Sequence, residues 1–236
     1  MIKMNEVIMK CAGLWKNYGN VSALRNINCE IKSGRIYGLL GPNGSGKTTL
    51  IKIANGLLTP SAGKILINGN EIGLESRKAV SYLPDCVALP DWMRIRELIK
   101  FYDDFYEDFS SEKAYKMLES LQLDSEQRFK TLSKGNKEKV QLILVMSREA
   151  KLYLLDEPMG GVDPATRDYI LNTIITNYSP DAAVVISTHL ISDVENILDE
   201  VFFINRGEIV LEDTVDNIRG ENGKSVDALF REVFRC

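Results

Sequence analysis

Gly41-Pro42-Asn43-Gly44-Ser45-Gly46-Lys47-Thr48 is the stretch from which the fold can be read. A glycine, four further residues and then Gly-Lys-Thr form the pattern of a phosphate-binding loop. The apolar run Ile36 to Leu40 reads as a strand entering the loop, and Thr49 to Gly56 as a helix leaving it. Glycines let backbone N–H groups converge on phosphate oxygens, and a helix N-terminus adds the positive end of its dipole. In this reading Gly41, Pro42, Asn43, Gly44, Ser45 and Gly46 form the cradle, and Lys47 reaches the β- and γ-phosphates. The Thr48 hydroxyl ligates Mg2+, and Thr49 completes the set at the head of the helix. The stretch predicts a nucleoside triphosphate site.

Two further segments carry chemistry at the places such a site requires. Leu152-Tyr153-Leu154-Leu155-Asp156-Glu157-Pro158 puts adjacent carboxylates at the end of a buried strand. Open α/β sheets bind ligands at the carboxyl edge of their strands. There Asp156 holds Mg2+ through water, and Glu157 polarises the attacking water as general base. His189, the one histidine of the chain, follows the apolar run Ala182 to Ile186 through Ser187-Thr188. That spacing places it at a second strand end, within reach of a γ-phosphate.

Composition narrows the class. Of 236 residues, 44% are hydrophobic and 26% charged, which excludes wholesale disorder, a collagen-like repeat and a coiled-coil rod. With 29 Lys and Arg against 33 Asp and Glu the net charge is −4, so the basic surplus of a nucleic-acid binder is missing. No apolar run is long enough to span a bilayer. Lys3, Glu6 and Lys10 interrupt any signal-peptide core in Met1 to Lys10. Cys11, Cys29, Cys86 and Cys236 are scattered and read as unrelated thiols. These features predict an intracellular chain that borrows any membrane association from a partner.

Along the chain, Val7 to Trp15, Ala23 to Ile31 and Lys64 to Asn68 alternate with turn residues, as antiparallel ribbons do. From Asp91 to about Arg148 apolar residues recur at helical spacing, for example Leu98, Phe101, Tyr102 and Phe105. Leu152 to Leu155 and Ala182 to Ile186 read as central parallel strands covered on both faces. A hairpin, Val201 to Asn205 and Glu208 to Leu211, precedes what reads as a polar tail. The layout is an α/β core with an antiparallel ribbon at one end and a helical insertion in the middle.

With these motifs in this order, the chain resembles the ATP-binding-cassette ATPases over nearly its whole length, in the manner of bacterial exporter subunits. Leu132-Ser133-Lys134-Gly135-Asn136 is similar to the family's signature loop, usually Leu-Ser-Gly-Gly-Gln, and Gly160-Gly161-Val162-Asp163 to its D-loop. His189 falls on the switch histidine, and Tyr18 on the aromatic that stacks on adenine. The resemblance implies one phosphate-loop NTPase domain over residues 1–236. It has a mainly parallel central sheet, an N-terminal antiparallel β-subdomain and an inserted helical subdomain at about 86–150. It also implies a head-to-tail dimer in which Ser133 and Gly135, with Asp163 nearby, face the ATP of the other cassette. Asp85, after Tyr82-Leu83-Pro84, stands where the family usually has glutamine and takes that residue's place towards Mg2+ and water. Lys134 replaces a glycine and Asn136 a glutamine; the added charges of Asp85 and Lys134 are expected to offset each other across the dimer.

The function implied is ATP hydrolysis that powers a transporter, with ATP and Mg2+ as cofactors. Its partners are a transmembrane permease and a second cassette, identical or not, and the chain sits on the cytoplasmic face of the membrane. Val87, Leu89, Pro90, Trp92 and Met93, in the stretch from Asp85 to about Leu98, form the expected permease-facing surface. The alternative is a soluble cassette ATPase in a non-transport assembly such as cluster biogenesis. A GTPase switch is set aside, because Asn136-Lys137-Glu138-Lys139 lacks the aspartate of a guanine-reading motif.

Overall fold

Strands whose successive side chains feed two different cores organise the chain. The computed structural model describes residues 5–234, so Cys236 and the first four residues lie outside it. The hairpin β1 (Val7–Tyr18) and β2 (Val21–Lys32) is followed by β3 (Arg35–Leu40), which runs into the phosphate loop, and α1 (Lys47–Ala54), which leaves it. Next come β4 (Ala62–Ile67), β5 (Asn70–Glu71), α2 (Leu74–Lys78) and β6 (Val80–Leu83). The helical stretch holds α3 (Ile95–Phe105), α4 (Ser111–Ser120) and α5 (Lys134–Met146). Then follow β7 (Leu152–Asp156), α6 (Pro164–Asn177), β8 (Ala183–Thr188) and α7 (Ile191–Val194). The chain closes with β9 (Glu200–Asn205), β10 (Glu208–Thr214), α8 (Val215–Asn222) and α9 (Val226–Val233).

Two sheets result. The six-stranded sheet runs β10-β9-β3-β8-β7-β6 and is parallel except for the β9–β10 hairpin. The second sheet, β2-β1-β4-β5, is antiparallel. Between them, Tyr37, Leu39, Leu152, Leu154, Val185 and Phe202 pack with α1 and the inner face of β1 and β2. Their neighbours in sequence, Ile36, Leu40, Tyr153, Leu155, Ile186 and Phe203, face the other way into a core shared with the helices. Side chains alternate across a strand, so a strand covered on both sides reads as an unbroken apolar run.

The register brings the site together. Leu40 lies beside Thr188 and Asp156 beside Ser187, so β3, β7 and β8 end at one edge. The helical stretch forms as its periodicity predicts, with Ser110, Ser133 and Asp163 accepting backbone N–H bonds as caps of α4, α5 and α6.

One expectation fails. The segment after β10 is not a polar tail but two helices. Phe230 of the last one and Phe234, its C-cap, pack on Phe203 with ring centres 5.4 and 5.9 Å away. Val226, Leu229 and Phe230 recur at helical spacing and pay for the turn of chain around them, whereas the polar residues of α8 masked that pattern.

Candidate nucleotide site

The loop between β3 and α1 is shaped by what surrounds it. Gly46 has φ 113, and a Cβ there would lie 2.7 Å from the Ala23 carbonyl oxygen and 2.9 Å from a Leu24 methyl. Only glycine fits, because both the backbone angle and the approach of β2 exclude a side chain. The Lys47 side chain is 6% exposed; its Nζ donates to the carbonyls of Gly41 at 2.8 Å and Pro42 at 3.3 Å. The same Nζ lies 3.5 Å from Glu157 Oε1.

Asp156, fully buried at the end of β7, meets the loop from the next strand but one. Its Oδ1 accepts from the Thr48 hydroxyl at 3.2 Å and from the Ser187 hydroxyl at 2.5 Å. Burial pushes its carboxyl above the usual range against those two hydrogen bonds, and the charges of Asp85 and Glu157 push the same way. Its Oδ2 is buried with no protein partner. A free carboxylate oxygen beside a threonine hydroxyl is a hard-oxygen donor set that suits Mg2+. Among the described residues no cluster of three or more His, Cys, Asp or Glu could hold a metal on its own. Mg2+ characteristically binds through one or two carboxylates with phosphates and water supplying the rest.

Glu157 follows in a left-handed conformation, φ 48, with its N–H bonded to the Ser187 carbonyl at 3.0 Å. Its carboxylate stands between two basic side chains, Lys47 on Oε1 and His189 Nδ1 at 3.0 Å from Oε2. Asp85 is exposed just beyond β6, where its charge bears on Asp156 and on the buried Tyr82 hydroxyl. Tyr18 ends β1 and is 48% exposed. Ser133, Gly135 and Asp163 form a second group: Gly135 stands against Thr166 and Asp163, and Asp163 accepts from Thr166 N–H at 3.0 Å and from its hydroxyl at 2.7 Å. That hydroxyl holds the Asp163 carboxyl below the usual range. Ser187 is the residue that sequence reading passed over, treating it only as a link to His189. Its one visible signal is a hydroxyl at the end of a buried strand.

Fold and site define a phosphate-loop ATPase. The family model described as ABC transporter matches residues 24–160, and the chain belongs to that family. Over 218 residues it is 34% identical to an uncharacterized ABC transporter ATP-binding protein, YdbJ, of Bacillus subtilis, covering 89% of this chain and 70% of that protein. The linearmycin resistance ATP-binding protein LnrL of the same organism is 28% identical, over 86% of this chain and 68% of its own length. A solved ATP-binding subunit of an ABC transporter superposes with a TM-score of 0.86 at 27% identity, covering 96% of this chain and 99% of that one. The chain is thus an ABC transporter ATP-binding protein and an ATPase.

Proposed function

We propose that residues 41–49 bind ATP, that Glu157 is the general base and that the chain drives export of a drug-like compound through a transmembrane permease. The observation that carries the chemistry is the Glu157 carboxylate, held between Lys47 and His189 at the mouth of the loop. In hydrolysis the attacking water gives its proton to Glu157 while its oxygen bonds to the γ-phosphorus. The bond to the bridging oxygen breaks, and ADP and phosphate leave. Lys47 turns from its carbonyls to the phosphates, and His189 keeps Glu157 oriented towards the water. Thr48 and Asp156 would hold Mg2+, with Asp85 acting on it through water; the ion supplies charge neutralisation to the phosphates when bound.

Export of a drug-like compound is supported by the likeness to a linearmycin resistance ATP-binding protein. For the permease, a groove of about 780 Å3 runs between α2 and α3, with Leu57, Leu74, Tyr102 and Phe105 on its walls. Trp92, 71% exposed, stands on the stretch expected to face the permease. Leu57, Leu74 and Phe105 are exposed apolar side chains on a groove otherwise lined largely by polar residues, and apolar exposure of this kind marks protein contacts. No helix among the described residues is long and apolar enough to cross a membrane, so a permease would be what holds the chain at the cytoplasmic face. In the paired state Ser133 and Gly135 face the ATP of a second cassette and Asp163 lies beside them, with residues at about 86–150 forming the helical subdomain of the one 1–236 domain.

Replacing Glu157 with Gln tests this. Turnover is expected to fall about 10²- to 10⁴-fold with ATP affinity kept, and ATP is expected to trap a dimer visible by size-exclusion chromatography. Turnover at the wild-type rate would remove Glu157 from the role.

A further inference from the structure

We propose that Lys134 is a positioning residue for hydrolysis: it ties the first turn of α5 to the Gly160–Asp163 turn of its own chain and through that turn fixes Glu157. The inference rests on Glu157 as the general base. It concerns a position where this chain carries a lysine in place of the glycine usual in signature loops.

Lys134 is the first residue of α5, directly after the cap Ser133. Its Nζ lies 3.4 Å from the Gly161 carbonyl oxygen and 3.8 Å from Glu138 Oε1, one helical turn on. Gly161 has φ 75, and a Cβ there would come within 2.7 Å of the same Nζ. The ammonium therefore sits where a Cβ at position 161 would stand.

The turn beneath it is tethered at both ends. At its start the Gly160 N–H donates to the Glu157 carbonyl at 3.0 Å, and Glu157 is itself in the left-handed conformation. Such a conformation in a residue with a Cβ persists only where its surroundings hold it. At its end Asp163 caps α6. A displacement of Gly161 is thus passed to the backbone that carries the Glu157 carboxylate. Lys134, Glu138, Asp85 and Glu157 line one cavity of about 310 Å3, so the lysine is the cation among three carboxylates there. Burial pushes the Glu138 carboxyl above the usual range, with Lys134 opposing and Asp163 adding to the rise.

The Lys134 side chain is 67% exposed, and a screened pair of that kind adds little stability. Its consequence is geometric. Small displacements of a catalytic group cost rate far more than they cost stability. Lys134 and Asp85 also line this cavity within one chain, besides the approach expected of them across a dimer.

Steady-state ATPase kinetics on Lys134→Gly, Lys134→Met and Lys134→Arg test the proposal, with Glu157→Gln measured alongside. The Gly and Met variants are expected to lose about tenfold in kcat with KM for ATP within about twofold of wild type. Lys134→Arg keeps a donor over Gly161 and is expected to retain at least half of kcat. Wild-type kcat in both Gly and Met variants would overturn the proposal. So would a loss confined to KM, or an Arg variant as slow as the Gly variant. If Glu157→Gln itself turned over normally, the general-base assignment would fall instead. If Glu157→Gln is dead and Lys134→Gly is normal, only the role of Lys134 falls.

Discussion

Tyr18 offers its ring at the end of β1, with the Lys16 Nζ 5.1 Å from the ring centre on one side. A ring presented in this way can take a base on its free face, and base–aromatic stacks contribute about 1–3 kcal/mol. Tyr18→Ala is therefore expected to weaken ATP binding about 5- to 150-fold, and Tyr18→Trp to keep it, by isothermal titration. Equal affinities would take Tyr18 out of the site. The thiols make a second residue-scale case. Cys11 faces Cys29 across β1 and β2, and its hydrogen bond with that partner together with burial holds the Cys11 thiol well above its ordinary range. Cys86 is exposed. Thiolates are the reactive form, so peptide mapping after brief alkylation should find Cys86 labelled in the folded chain, and Cys11 and Cys29 only after unfolding. The contrast between these residues shows what a sequence displays. Lys47, Asp156, Glu157 and His189 each lie in a short segment whose local pattern announces a strand end or a loop. Ser187 acts through Asp156, 31 positions away; a role made by pairing distant segments leaves no local mark.

The elements follow the same division. β3, β7, β8 and the helices α3 to α5 were legible because their apolar spacing is set by burial against a neighbour. α9 was not, because the polar α8 precedes it and its partner, Phe203, is on the far side of a hairpin. Its packing makes it part of the core rather than an appendage. Phe230→Ala should cost roughly 2–3 kcal/mol, somewhat below the range for a fully buried phenylalanine, as read from urea midpoints. A neutral result would return α9 to the status of a tail. β10 carries a different strain. Burial raises the Glu212 carboxyl above its usual range and Glu30 on β2 adds to the rise, while Lys32 opposes it. A carboxyl that binds its proton more tightly when folded costs stability once ionised, and the cost disappears as pH falls below the unfolded value. Glu212→Gln should then raise the thermal midpoint by about 1–2 °C at neutral pH, with the gain gone near about pH 4. A gain that persisted in acid would show that charge is not its source.

At the scale of the molecule, the two cores are the two faces of one sheet. Leu152 and Leu154 enter the core beneath the antiparallel sheet, and Tyr153 and Leu155 enter the core beneath the helices. Neither core can lose its packing without stripping one face of strands that the other needs, and apolar strands bare on one face have no stable place in water. The chain should therefore unfold as one unit despite its length. In Trp92→Phe, Trp15 fluorescence reports the antiparallel sheet, where Trp15 pairs with Ala62, while far-ultraviolet circular dichroism is dominated by the helices. The two signals should share a single urea midpoint. Leu154→Ala, which opens a hole on the antiparallel side only, should lower both by the same amount, about 2–5 kcal/mol of stability. Saturating ATP should raise both together, because ligand binding to the folded state stabilises whatever unfolds with the site. Circular dichroism lost at lower urea than Trp15 fluorescence would mean that the helical stretch is a separate folding unit hinged on the sheet. The shared alternation of β7 would then not be what joins the two halves.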